Sequence, residues 1–113
     1  MEEADKILIS SLKQLGVVVN ALSDFDAPSF IQCIILCFER LSRVVDEQDQ
    51  FIDLKFLKSK NLKEATHRFK LCQKFTEYLK HLGFSGDISL NSFLYPNTKD
   101  TRKLLSYMFD LIF

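Results

Sequence analysis

Residues 29–45 read "SFIQCIILCFERLSRVV", and this stretch decides the fold. Phe30, Cys33, Ile34, Cys37, Phe38 and Leu41 recur at spacings of three and four, which places them on one face of an α-helix. Ile31, Ile35, Leu36 and Val45 add apolar surface around the rest of the cylinder, so the helix is expected to be covered on most sides and to lie at the centre. Asp26 is placed to cap it, with Pro28 in the first turn, where a missing amide proton costs little.

Three further helical patterns surround it. Toward the amino terminus, Ala4, Leu8, Leu12 and Leu15 keep helical spacing, Ile7 widens the stripe and Gly16 supplies a left-handed stop. Glu2, Glu3 and Asp5 suit the positive end of that helix. The following "VVVNALSDFDA" reads as a linker packed by its own apolar residues, because a strand drawn through "GVVVN" would have nothing to pair with.

Beyond the central helix, "DEQDQFIDLKFLKSK" fits neither the helical nor the strand period and is expected to be a loop with one turn of helix. Asn61 with Glu64 three residues on resembles a capping box, after which Leu62, Ala65, Phe69, Cys72, Phe75, Leu79 and Leu82 predict a third long helix. Gly83 ends it, and Phe84 is placed to fold back as in a Schellman cap. In "SGDISLNSFLYPN", Leu90, Phe93, Leu94 and Tyr95 are expected to plug the core from the side. Pro96 forbids a helix through it, and Asn97 with Asp100 starts the last one, carrying Leu104, Leu105, Met108, Leu111 and Ile112 on one face. The fold class is therefore all-α, with about four main helices joined by short turns. Residues 1–113 form a single domain, and the uncapped end at Phe113 reads as an amino-terminal piece of a longer chain.

Composition narrows the chemistry. Eleven Phe, three Tyr and no Trp are core material, since phenyl rings bury area without needing hydrogen-bond partners. Only Gly16, Gly83 and Gly86 are available, so there is neither a glycine-rich phosphate loop nor a nucleophile elbow. An enzyme is not expected, and no catalytic residue or cofactor is assigned. Cys33, Cys37 and Cys72 could be drawn with His67 and His81 as a zinc site, but the first two fall on the most apolar face, where a thiol behaves as a small hydrophobe. Reduced cysteines in a cytosolic, soluble protein are the expectation, and the apolar runs are too short to span a bilayer. The carboxylates Asp24 and Asp26, and Asp46, Glu47 and Asp49, read as solvated turn charge.

The neutral total hides an asymmetry. Residues 1–53 hold ten acids against four bases, a balance of −6, and residues 54–113 hold eleven bases against five acids, a balance of +6. Lys60, Lys63, His67, Lys70 and Lys74 succeed one another by three or four, drawing a basic stripe on the third long helix. Lys63, His67, Lys70 and Lys74 are the candidate partner-binding residues, suited to an acidic protein surface, with a solvated helix face as the plainer reading. Nucleic acid is not an expected partner, because the domain as a whole is not basic.

"MEEADKILISSLKQLG" at residues 1–16, "FKLCQKFTEYLKHLGF" at 69–84 and "NSFLYPN…TRKLL" from Asn91 resemble the amino-terminal domain of the coiled-coil domain-containing protein 22 family. The resemblance implies a divergent calponin-homology fold of the kind found in outer-kinetochore microtubule-binding proteins. It implies a scaffold rather than a catalyst, assembling with COMM-domain proteins and a coiled-coil partner subunit in the Commander complex, which supports endosomal recycling of membrane cargo. It further implies links to NF-kappa-B control through cullin ubiquitin ligases, and a cytoplasmic, endosome-associated location that extends to the centrosome. The kinetochore likeness carries an alternative, in which the basic stripe reads acidic tubulin tails.

Overall fold

In the computed structural model, which describes residues 3–45 and 52–113, every regular element is helical. α1 spans Glu3–Gln14, α2 Ala27–Val45, α3 Leu54–Lys58, α4 Ala65–Leu82, α5 Asn91–Leu94 and α6 Thr98–Ile112, with a short 3-10 turn at Leu22–Asp24. Among the described residues there is no strand, and Val17 to Val19 run without regular structure, Val18 exposed between two half-buried neighbours. Glu2, Asp46, Glu47, Asp49 and the side chain of Val45 lie outside the described set.

α2 occupies the centre as its sequence demands. Phe30, Ile34, Cys37, Phe38 and Leu41 are fully covered, Cys33 nearly so, and the helix packs against α3, α4, α5 and α6. Its start is fixed locally. The Asp26 carboxylate accepts the Ser29 amide at 2.9 Å while the Ser29 hydroxyl accepts the Asp26 amide at 3.0 Å, a reciprocal box that satisfies two otherwise orphaned donors. Hydrogen bonding from the Ser29 side chain and amide holds the Asp26 carboxyl below its ordinary acidity range.

Through this centre runs a file of aromatic rings. Phe25 meets Phe30 at 5.3 Å, Phe30 meets Phe93 at 6.2 Å, Phe93 meets Phe75 at 5.3 Å, and Phe75 meets Phe38 at 5.5 Å. Tyr78 closes the file edge-on against Phe38 at 5.4 Å. Such tilted and offset contacts add about 0.5–1.5 kcal/mol each beyond the area they bury. Short as it is, α5 exists to deliver Phe93 into this file, with Leu90 and Leu94 half-buried beside it. Tyr95, expected to join them, is 74% exposed, because Pro96 turns the chain outward before α6 begins.

The helix ends follow local chemistry. α6 starts where expected, with the Asn97 side chain accepting the Asp100 amide at 2.9 Å. α4 ends in a full Schellman arrangement. Gly83 takes φ +98°, its amide reaches the Lys80 carbonyl and the Phe84 amide reaches that of Leu79. Phe84 then packs edge-on against Tyr107 at 5.1 Å, and the Tyr107 hydroxyl donates to the Leu82 carbonyl at 2.8 Å, locking α6 onto the end of α4.

Three further expectations need correction. The buried side of α1 is Asp5, Leu8, Ile9 and Leu12, not the side holding Ala4 and Ile7; both of those are exposed, Ile7 at 60%. The helix is rotated because Asp5 is turned toward α6. Asn61 does not cap α4, which begins four residues later with Glu64 at the cap; Asn61 instead organises the preceding turn, its side chain accepting the Lys63 amide at 3.0 Å. Finally, Phe69 is 44% exposed and Ala65 is exposed as well. None of residues 65–70 is buried, so the start of α4 stands clear of the core, and Leu71, Cys72, Phe75, Tyr78 and Leu79 supply the packed face.

Candidate interaction surface

The basic stripe resolves into parts with different chemistry. Lys63 sits in the turn before α4 and Lys70 on the exposed side of the helix. Lys74 lies toward α3, its Nζ 3.3 Å from Glu77 and 5.8 Å from the centre of the Phe56 ring. Lys60 approaches the same ring more closely, at 4.7 Å. Two ammonium groups therefore share one half-buried phenyl group, an arrangement that attracts through the ring's negative face. Phe56 was not legible as part of this surface, since it comes from the irregular 51–57 pattern.

His67 does not behave as a member of a cationic stripe. Its Nδ1 accepts the Asn61 amide at 2.9 Å, which requires that nitrogen to be unprotonated, and its Nε2 faces the Glu64 carboxylate at 3.3 Å. The ring is a structural latch for the 61–64 turn, aided by Arg68, which donates to the Leu62 carbonyl at 2.8 Å. Of the four candidate residues, Lys63 and Lys70 remain outward-facing, Lys74 leans on α3 and His67 is occupied with backbone.

Other polar groups are structural too. Asp24 accepts the amides of Asn20 and Ala21 at 3.0 Å each, and Asp53 caps α3 by accepting the Phe56 amide at 3.0 Å. The Asp53 amide in turn donates to the Tyr78 hydroxyl at 3.2 Å. An ion pair that the sequence reading missed joins α1 to α6: Arg102 Nε lies 2.6 Å and a second guanidinium nitrogen 3.0 Å from the two oxygens of Asp5. No local pattern announces a partner 97 residues away.

The thiols are inside. Cys33, Cys37 and Cys72 are buried and form no disulfide. Hydrogen bonding with Cys33, reinforced by burial, pushes the Cys37 thiol well above its ordinary value, and burial pushes Cys72 up to about 12 against a smaller opposing effect of Arg68. Among the described residues no three His, Cys, Asp or Glu side chains gather in a metal-binding group, and no helix is long and apolar enough to cross a membrane.

The described residues form an all-helical domain in which Asp24, Asp26, Asp53, His67 and Asn97 are occupied with backbone and the three thiols are buried. The family model described as the CCDC22 protein N-terminal domain matches residues 1–112, and the chain belongs to that family, named for coiled-coil domain-containing protein 22. A homolog of that protein from Dictyostelium discoideum is 30% identical across 99% of this chain, the Homo sapiens protein 28% across 96%, and the Mus musculus protein 30% across 96%. In each case the match covers 17% of the relative, so the chain spans about a sixth of those proteins' length. No solved structure matches. The family's name is that of a coiled-coil protein and indicates no catalytic function.

Proposed function

We propose that this domain is a non-enzymatic protein-interaction module of a Commander-complex scaffold subunit, acting with COMM-domain proteins and a coiled-coil partner in endosomal recycling of membrane cargo. The observation that carries this reading is the family match over residues 1–112. The helical architecture is compatible with a divergent calponin-homology fold, with α2 as its central helix. On this reading the domain works in the cytoplasm at endosomal membranes without inserting into them, and extends through its complex to cullin ubiquitin ligases and NF-kappa-B control.

A second reading, in which the domain binds tubulin, is favoured by one feature: Lys63, in the turn before α4, and Lys70, in its first turns, are both exposed. The two readings respond differently to salt. Attraction to an acidic tail weakens steeply as screening shortens to about 8 Å at physiological ionic strength, whereas a packed apolar interface persists.

Affinity capture from cell extract at low and at physiological salt tests both, comparing wild type with the Lys63→Glu, Lys70→Glu, Lys74→Glu variant. Recovery of COMM-domain proteins by both forms, insensitive to salt, is the expected result. Recovery of tubulin alone, lost on charge reversal, would overturn the assembly reading.

A further inference from the structure

Between α2 and α3 lies a cleft of about 220 Å³ whose chemistry is specific. Its apolar lining comes from Ile35, Leu36, Leu57 and Leu62, and Lys58 and Lys60 stand at its rim. Ile35 and Leu57 belong to the packed core, while Leu36 and Leu62 are half-covered and present apolar surface on the open side. Pockets for drug-sized ligands run to roughly 300–1,000 Å³, so this one is sized for a single large side chain rather than for a metabolite.

Among the described residues the charge around it is mostly positive. Glu39 is the acid among the described lining residues, and it is already neutralised: Lys58 lies 3.3 Å and Arg43 3.6 Å from the same carboxylate oxygen. Lys60 is held over the Phe56 ring rather than by a carboxylate, and Lys74 reaches that ring from α4. An ammonium resting on a phenyl face keeps most of its capacity to attract an anion, because the ring carries no net charge. Among the described residues the cleft thus combines an apolar floor with an excess of positive charge along its edge, carried by Lys60, while Lys74 beyond it is paired with Glu77.

We propose that the α2–α3 cleft is a docking site for an acidic peptide segment of a partner protein, one large apolar side chain entering the cleft while a flanking carboxylate meets Lys60. Charge complementarity selects this occupant. A basic peptide would meet the rim cations, and an uncharged apolar one would leave their attraction unused. A buried apolar anchor ringed by polar contacts is the usual energetic plan of such small interfaces. The inference goes beyond the assembly role proposed above and does not depend on which complex the domain joins.

The test uses a defined probe: a blocked pentapeptide with one phenylalanine between two pairs of glutamates, titrated into the isotope-labelled domain at physiological salt. Saturable amide shift changes centred on Leu36, Leu57, Lys60 and Leu62 are expected. Replacing the peptide phenylalanine with alanine should weaken binding about tenfold or more, the loss expected for an unburied ring. Lys60→Glu should weaken it about fivefold or more, and Leu36→Gln provides an independent change to the floor, both checked for an unchanged helical spectrum. Shifts that map elsewhere, or equal binding of the alanine peptide, would overturn the proposal. Failure of the peptide to bind leaves recovery of COMM-domain proteins unaffected, so the two ideas are judged separately.

Discussion

Arg102 grips Asp5 with two nitrogens, at 2.6 and 3.0 Å, and so joins the last long helix to the first across 97 positions of sequence. The aspartate is buried with only 7% of its surface exposed, while its partner remains half-open to solvent. A forked guanidinium contact of this kind fixes orientation as well as distance. It therefore sets the rotation of α1 and determines which of its apolar residues face inward.

The pair has a pH signature. The Arg102 hydrogen bond holds the Asp5 carboxyl below the ordinary 3.8, opposed in part by burial and aided by the guanidinium charge. A depressed folded value means that the contribution to stability is fully present above the unfolded value and is lost as pH falls through the folded one. Asp5→Asn is expected to lower the denaturation midpoint at pH 7, with the gap from wild type narrowing in acid as pH falls through the lowered folded value. Denaturant melts at pH 7 and in acid check this, and a gap that is unchanged in acid would show that the ion pair is not the cause.

Phe93 and Phe69 separate core from surface. Phe93 is fully covered and lies between the rings of Phe30 and Phe75, so Phe93→Ala should cost about 3–5 kcal/mol. Phe69, at 44% exposure, should cost about 1 kcal/mol on the same change. Equilibrium unfolding of both variants decides it; equal losses would mean that the start of α4 is packed after all.

Thr101 carries a different liability. It is fully covered in the first turn of α6, and its hydroxyl has no hydrogen-bond partner among the described residues. An unsatisfied buried hydroxyl costs about 1–3 kcal/mol, so Thr101→Val, which keeps the shape, should leave stability unchanged or raise it by about 1 kcal/mol. A loss of about 1 kcal/mol or more in thermal unfolding would reveal a bond to that oxygen.

The three cysteines should be inert in the folded state. Thiolate is the reactive form, and burial disfavours it at Cys37 and Cys72. A chromogenic thiol reagent at pH 7.5 should label none quickly in the native protein and all three in denaturant. Rapid native labelling would place at least one thiol at the surface.

Helix starts and stops were legible where the signals are local. Asp26, Asn97 with Asp100, and Gly83 with Phe84 form the predicted caps from partners within a few residues, Asp26 adding an unforeseen reciprocal bond with Ser29. Helix faces were legible where most of the circumference is apolar, as in α2, and where the stripe is narrow, as in α6, whose Leu104, Leu105 and Met108 are buried as expected. In α1 and α4 the apolar residues occupy a broad arc, and the covered part of it depends on neighbours distant in sequence. Arg102 draws Asp5 inward and leaves Ile7 outside, and the start of α4 extends past its packing partners and leaves Phe69 half-bare. Spacing marked Lys63, His67, Lys70 and Lys74 as neighbours along one helix. It could not register that the backbone of the 61–64 turn makes His67 an acceptor, or that Phe56 from an irregular segment collects Lys60 and Lys74.

The proposed assembly role requires docking onto COMM-domain proteins through packed protein surface and not through diffuse charge. Its most direct test is calorimetric titration of the purified domain with a recombinant COMM-domain protein assembly at about 0.15 M salt, in wild-type and Lys63→Glu, Lys70→Glu, Lys74→Glu forms. The account expects a saturable complex with similar affinity for both forms. No heat of binding to that assembly, together with a tubulin complex that charge reversal abolishes, would contradict it.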